Sequence, residues 1–125
     1  MSLSQSRLIA FVSTVDARHA LSFYRDRLGL RLVSETPFAL VFDAMGTMLR
    51  VAIAETVTPA PHTVLGWQVA DIAETVDELT AHGVAFTRYE GMDQDARGVW
   101  SSPAGSQIAW FRDPDGNVLS LTQFE

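Results

Sequence analysis

A chain of 125 residues fits one globular domain able to bury about two-thirds of the surface its unfolded form exposes. Its 47% hydrophobic and 19% charged residues are ordinary for a globular protein, no apolar run approaches the ~20 residues of a membrane span, and the lack of cysteine removes disulfides and thiolate zinc sites. A net charge of −6 without a single lysine weighs against nucleic acid, whose affinity is drawn from clustered cations, and leaves solubility or attraction for cationic ligands as uses of the acidity.

Nothing near the start reads as a signal peptide, Met1-Ser2-Leu3 is set aside, and a cytoplasmic setting is expected from the missing thiols. Arg7 to Val15, rich in Ile, Phe and Val, predicts a first strand. Asp16 has the chemistry of a helix N-cap, and Ala17 to Leu28 places Ala20, Leu21, Phe23, Tyr24 and Leu28 on one helical face before Gly29. Three short strands are expected next, at Leu30–Ser34, Phe38–Asp43 and Thr47–Ala54, broken by Pro37 and Gly46.

Residues 56–62, with Pro59 and Pro61, read as a linker between module one (about 5–55) and module two (about 63–125). The pattern then restarts. Val64–Val69 predicts a strand, Asp71 an N-cap with Glu74 as its capping-box partner, and Ile72, Val76 and Leu79 an apolar stripe ended by Gly83. Val84–Tyr89, Val99–Ser102, Gln107–Arg112 and Asn117–Gln123 are expected strands, with a mobile Gly91–Gly98 loop among them. Pro114-Asp115-Gly116 is a turn that makes the last two of these a hairpin. Strand, helix and further strands thus occur twice, each copy ending in an aromatic, Asp, Gly and apolar alternation, which is the mark of a duplication.

These residues carry a resemblance. Val15-Asp16, Ser22-Phe23-Tyr24-Arg25 and Leu28-Gly29-Leu30 resemble the first module of the vicinal oxygen chelate superfamily, which includes glyoxalase I, bleomycin-resistance proteins, fosfomycin-resistance enzymes and extradiol dioxygenases. Phe111-Arg112-Asp113-Pro114-Asp115-Gly116-Asn117 resembles the signature of its second module. The resemblance implies an α+β fold of two tandem βαβββ modules, each a curved mixed sheet around a concave site with a helix outside, and usually a homodimer. It also implies a divalent metal held by His or Glu on the first and last strands of the modules. Carried over by motif register, the His positions fall on Ile9 and Val64 and the carboxylate positions on Arg50 and Ser120. Hydrocarbon, hydroxyl and guanidinium are not donors for such an ion, so no metal and no cofactor is expected. His62 reaches the Val64 position only by a two-residue slip of the strand, while His19 and His82 belong on helix surfaces.

Strand parity from Val64 and Ser120 names a ligand-binding wall instead: Phe11, Ser13, Met48, Arg50, Gly66, Gln68, Ser120 and Thr122, to which the resemblance adds Trp110, three residues before Asp113, where family members place an aromatic facing the site, with Trp100 as an aromatic wall or a dimer contact. Gly66 marks either close approach of a ligand or room for a neighbouring Trp, and Trp67 on the opposite parity belongs to the core. Arg50 has two roles open to it, a fork for a ligand carboxylate or phosphate and an ion pair with Glu35 or Asp43. No catalytic residue is named: Ser101, Ser102 and Ser106 lack a nucleophile elbow, Gly91–Gly98 is not a phosphate loop, and Asp113 and Asp115 are explained by their turn.

The function expected is metal-free binding of an apolar or aromatic small molecule, in the manner of bleomycin-resistance proteins that sequester a drug in grooves at a dimer interface. The alternative is a metal-dependent lyase, isomerase or dioxygenase with its ligands in another register, and a third is a structural module without a ligand. The partners expected are a small molecule and a second copy, with neither nucleic acid nor membrane.

Overall fold

The computed structural model describes residues 2–125. The chain divides into two compact units, Met1–Thr58 and Pro59–Glu125.

In the first unit, strand β1 (Ile9–Thr14) leads into helix α1 (Ala17–Leu21), which continues as a π-helical turn over Ser22–Arg27. A meander follows, of β2 (Arg31–Glu35), β3 (Ala39–Ala44) and β4 (Thr47–Ile53). The sheet order is β1-β4-β3-β2, with β1 parallel to β4 and the meander antiparallel. Asp16 caps α1 as expected, its carboxylate accepting from the Arg18 and His19 amides.

The widening to a π-turn is a departure from the regular helix that Ala17–Leu28 predicts. Phe23 and Tyr24 are adjacent in sequence and both are buried, and they meet edge-on at 5.2 Å. The Leu28 amide reaches back to the Phe23 carbonyl, and the looser turn lets two neighbouring aromatics share one face.

That face lies against Val12, Thr14, Leu40, Phe42, Leu49 and Val51 of the sheet, all buried, with the Tyr24 ring 5.9 Å from that of Phe42. Burial of each large side chain here is worth about 1.5–3 kcal/mol, which makes this layer the core of the unit.

The second unit repeats the plan. Strand β5 (Thr63–Gln68) is followed by α2 (Ile72–Ala81), then β6 (Trp100–Ser101), β7 (Gln107–Arg112) and β8 (Val118–Gln123), in the order β5-β8-β7-β6 with β5 parallel to β8. Asp71 caps α2 by accepting from the Glu74 amide, and the Gln123 side chain at the end of β8 accepts from the Ile72 amide. Ile72 and Val76 are buried toward Ala109, Phe111, Leu119 and Leu121, and Trp67 stacks on Phe111 at 6.4 Å, in the core layer as expected.

The Asp113 carboxylate accepts from the amides of Asp115 and Asn117 and from the Asn117 side chain, so it holds the β7–β8 turn from inside. This is the role that the sequence suggests for it.

One expected strand does not form. Over Val84–Tyr89 the only pairing is a bridge from Phe86 to Phe111, with the Thr87 amide donating to the Trp110 carbonyl. Two of the backbone groups find a side chain instead of a ladder: Gln94 accepts from the Tyr89 amide and donates to the Thr87 carbonyl, and it donates to the Gly98 carbonyl as well. Arg88 donates to the Asp95 and Ala96 carbonyls, and Asp95 accepts from the Arg97 and Val99 amides. Gly91–Gly98, expected as a loop, is therefore a loop stapled at several points by side chains.

Candidate functional site

Each sheet has one face against its helix and one turned away from it, here called the open face. Laterally paired residues share a face, so the registers sort the site candidates without further assumption.

In the first unit Ile9 pairs with Met48, Phe11 with Arg50 and Ser13 with Ala52, while β3 sets Asp43 beside Met48 and Val41 beside Arg50. Phe11, Ser13, Met48 and Arg50 therefore stand together on the open face. Phe11 is 59% exposed and Ile9 44% exposed, unusual for strand residues of this size and consistent with a surface that receives something apolar.

One end of this face holds a cavity of about 400 Å³, lined by Arg7, Leu8, Ile9, Arg31, Val33, Val41, Phe42, Asp43, Gly46 and Met48. That volume lies within the range of small-molecule sites. Of the ligand-binding residues named from the sequence, Met48 alone lines it. Arg7, Arg31, Val41 and Asp43 were missed because family analogy directs attention to first and last strands, although the parity of β3 would have found Val41 and Asp43.

Asp43 accepts from the Gly46 amide at 3.1 Å and faces Arg31 at 3.6 Å. An Arg50–Asp43 ion pair does not form, and neither does one to Glu35. Among the described residues Arg50 has no hydrogen-bond or ion-pair partner.

In the second unit Gly66 pairs with Ser120 and Gln68 with Thr122, while Trp110 pairs with Ser120, Ile108 with Thr122 and Trp100 with Ile108. All six residues named here, Gly66, Gln68, Trp100, Trp110, Ser120 and Thr122, thus share the open face. Trp110 lies 6.3 Å from Trp100 and meets Tyr89 edge-on at 5.5 Å, a three-ring wall in which Trp110 remains half-buried rather than sealed. Tyr89 was missed as a site residue; its odd spacing from Phe86, which packs on Phe111, was the available signal.

Gly66 answers its question differently from either reading. A Cβ at this position would stand 2.8 Å from the Ser120 Oγ, so the glycine makes room for a buried hydroxyl and not for a tryptophan.

The positions at which the family's enzymes hold a metal can now be tested against this chain. Ile9 and Met48 put hydrocarbon at the start of β1 and β4, Arg50 puts a cation further along, Val64 is the residue skipped by the β5–β8 pairing, and Ser120 offers one buried hydroxyl. Among the described residues no three His, Cys, Asp or Glu side chains come together. His62 is exposed ahead of β5, His19 faces Asp16 at 3.2 Å, and the His82 ring contacts the Glu78 carbonyl. These residues do not fit a divalent metal.

Several solved structures share the fold. A member of the glyoxalase/bleomycin resistance protein/dioxygenase superfamily from Sphaerobacter thermophilus is 25% identical, with a TM-score of 0.72 over 94% of this chain and 96% of that one. A glyoxalase/bleomycin resistance protein/dioxygenase from Alicyclobacillus acidocaldarius is 17% identical, with a TM-score of 0.71 over 99% and 95% of the two chains. A lactoylglutathione lyase from Agrobacterium tumefaciens is 22% identical, with a TM-score of 0.69 over 95% and 93%. No curated protein matches the chain. The family model of the Glyoxalase/Bleomycin resistance protein/Dioxygenase superfamily matches residues 8–121, nearly the whole of both βαβββ modules, and the chain belongs to that superfamily.

Proposed function

We propose that this protein binds a small apolar or aromatic molecule on its open sheet faces without the help of a divalent metal. The observation that carries the reading is the donor chemistry at the family's metal positions, where Ile9, Arg50, Val64 and Ser120 stand. It is supported by the cavity of about 400 Å³ in the first unit and by the Tyr89, Trp110 and Trp100 rings in the second. Within the superfamily this is the mode of the bleomycin-resistance proteins rather than of its lyases and dioxygenases. A cytoplasmic setting fits a chain without cysteine.

The test has two arms. Incubation with zinc, nickel or manganese followed by desalting and elemental mass spectrometry should leave less than one-tenth equivalent bound; tight stoichiometric uptake would overturn the proposal in favour of a metal-dependent enzyme. Intrinsic tryptophan emission should be quenched or shifted by planar aromatic ligands, and that response should weaken in Trp110→Ala.

A further inference from the structure

Eight of the nine arginines are exposed, and Arg50 alone is half-buried. Five of the exposed ones have acceptors even so: Arg25 faces Asp26, Arg31 faces Asp43, Arg97 faces Asp77, and Arg88 and Arg112 donate to backbone carbonyls. Arg50 has no such acceptor among the described residues. A guanidinium drawn partly out of water without an acceptor costs stability, and that cost is retained where an incoming anion removes it.

Resting on the metal-free reading above, we infer that Arg50 is the recognition group for the carboxylate of an apolar or aromatic acid. Its planar fork accommodates the pair of ligand oxygens, and the neighbouring cavity takes the ligand's apolar body. Three features of the first unit converge on this. Phe11 and Val41 flank Arg50 laterally and Met48 and Ala52 precede and follow it on the same face, so the charge sits within an apolar surround. Met48 both lines the cavity and stands two residues from Arg50 on β4, which makes cavity and charge contiguous.

Charge distribution adds the third. The first unit carries six arginines against five acids, whereas the second carries three against ten, so the molecule's acidity is confined to the second. The first unit, which carries Arg50, thus has a net charge of +1 and does not share in the excess of acids behind the net charge of −6. A carboxylate fits better than a phosphate, because a phosphate brings a second charge and a third oxygen that apolar neighbours cannot satisfy.

The experiment is a calorimetric titration of the full chain with benzoate, 1-naphthoate and indole-3-acetate, each beside its neutral primary amide. At least one acid is expected to bind ten times more tightly than its amide; Arg50→Gln should abolish that preference, Arg50→Lys should keep part of it, and Arg18→Gln, at an exposed position of α1, should leave it intact. Circular dichroism and thermal melts establish that each variant is folded. Equal binding of acid and amide, no binding of any acid, or a preference that survives in Arg50→Gln would overturn the inference, and competition by inorganic phosphate at equal concentration would overturn the choice of carboxylate. Amides bound as well as acids would leave the metal-free reading standing while removing the carboxylate, whereas tight metal uptake would remove the reading itself.

Discussion

Gly66 and Ser120 face each other across β5 and β8 at a distance that only a missing side chain permits. The nearest atom to an added Cβ is the Ser120 hydroxyl at 2.8 Å, and Ser120 is 6% exposed, so the hydroxyl has little freedom to turn away. Gly66→Ala is expected to lower stability by about 1 kcal/mol in urea unfolding, as overpacking does. Combining it with Ser120→Ala should recover most of that loss, because the clash is with one atom; a double mutant no better than the single would show that the strain lies in the backbone. The same pair shows the limit of reading glycine from sequence. A strand glycine announces that something comes close, and the identity of what comes close is fixed by a partner more than fifty residues away.

At the scale of elements, the two hairpins that close the modules use different chemistry. In the second unit Asp113 and Asn117 lock the turn with side-chain hydrogen bonds. In the first, where one such bond runs from the Gly46 amide to the Asp43 carboxylate, Ala44 pairs with Thr47 around the two-residue loop Met45-Gly46, with φ of +50° and +90°. This is the conformation in which Asn-Gly is preferred, and Met45 is fully solvent-exposed, so nothing is gained by the side chain to offset its backbone strain. Met45→Asn is expected to stabilise the protein by about 1 kcal/mol, read as a higher urea midpoint at unchanged slope. A lower midpoint would mean that the exposed methionine serves contacts outside this chain.

The stapled Val84–Val99 segment belongs to this scale too. Besides the Gln94 bonds, Arg97 forks onto Asp77 of α2 with two bonds of 2.9 Å, and the guanidinium holds that carboxyl below the ordinary carboxylate range. A folded-state pKa that is depressed gives a contribution present above the ordinary value and lost as pH falls through the depressed one.

For the whole molecule, the apolar exposure is as uneven as the charge. Leu8, Ile9, Phe11, Val33, Phe38 and Met48 of the first unit are all exposed, whereas Val64, Met92 and Phe124 are the exposed large apolar side chains of the second. Scattered single residues of this kind need no explanation, but Ile9, Phe11 and Met48 are neighbours on one face. A homodimer, as is usual in the superfamily, is the proposal for the assembled state. Sedimentation velocity at micromolar concentration is expected to give twice the 13.7 kDa chain mass, and a single species at the monomer mass across that range would refute it.

The fold was legible in this chain because its signals are local and occur twice: an Asp cap, an apolar helical stripe, a glycine stop, then an aromatic-Asp-Gly turn. Those signals brought most strands to within two residues of their observed bounds, and parity, with its reference positions taken from the family resemblance, sorted Phe11, Ser13, Met48 and Gln68 onto open faces. Parity is a property of the backbone, so it survives without knowledge of the partner strand. What required the tertiary structure was every question about which groups meet. Val84–Tyr89 has the composition of a strand, yet Gln94 takes its Tyr89 amide and Thr87 carbonyl; Gly66 meets a hydroxyl; Asp43 pairs with Arg31 and leaves Arg50 alone. Such pairings depend on residues far apart in the chain competing for the same donor or acceptor, and that competition is decided only once the sheets have brought them into reach.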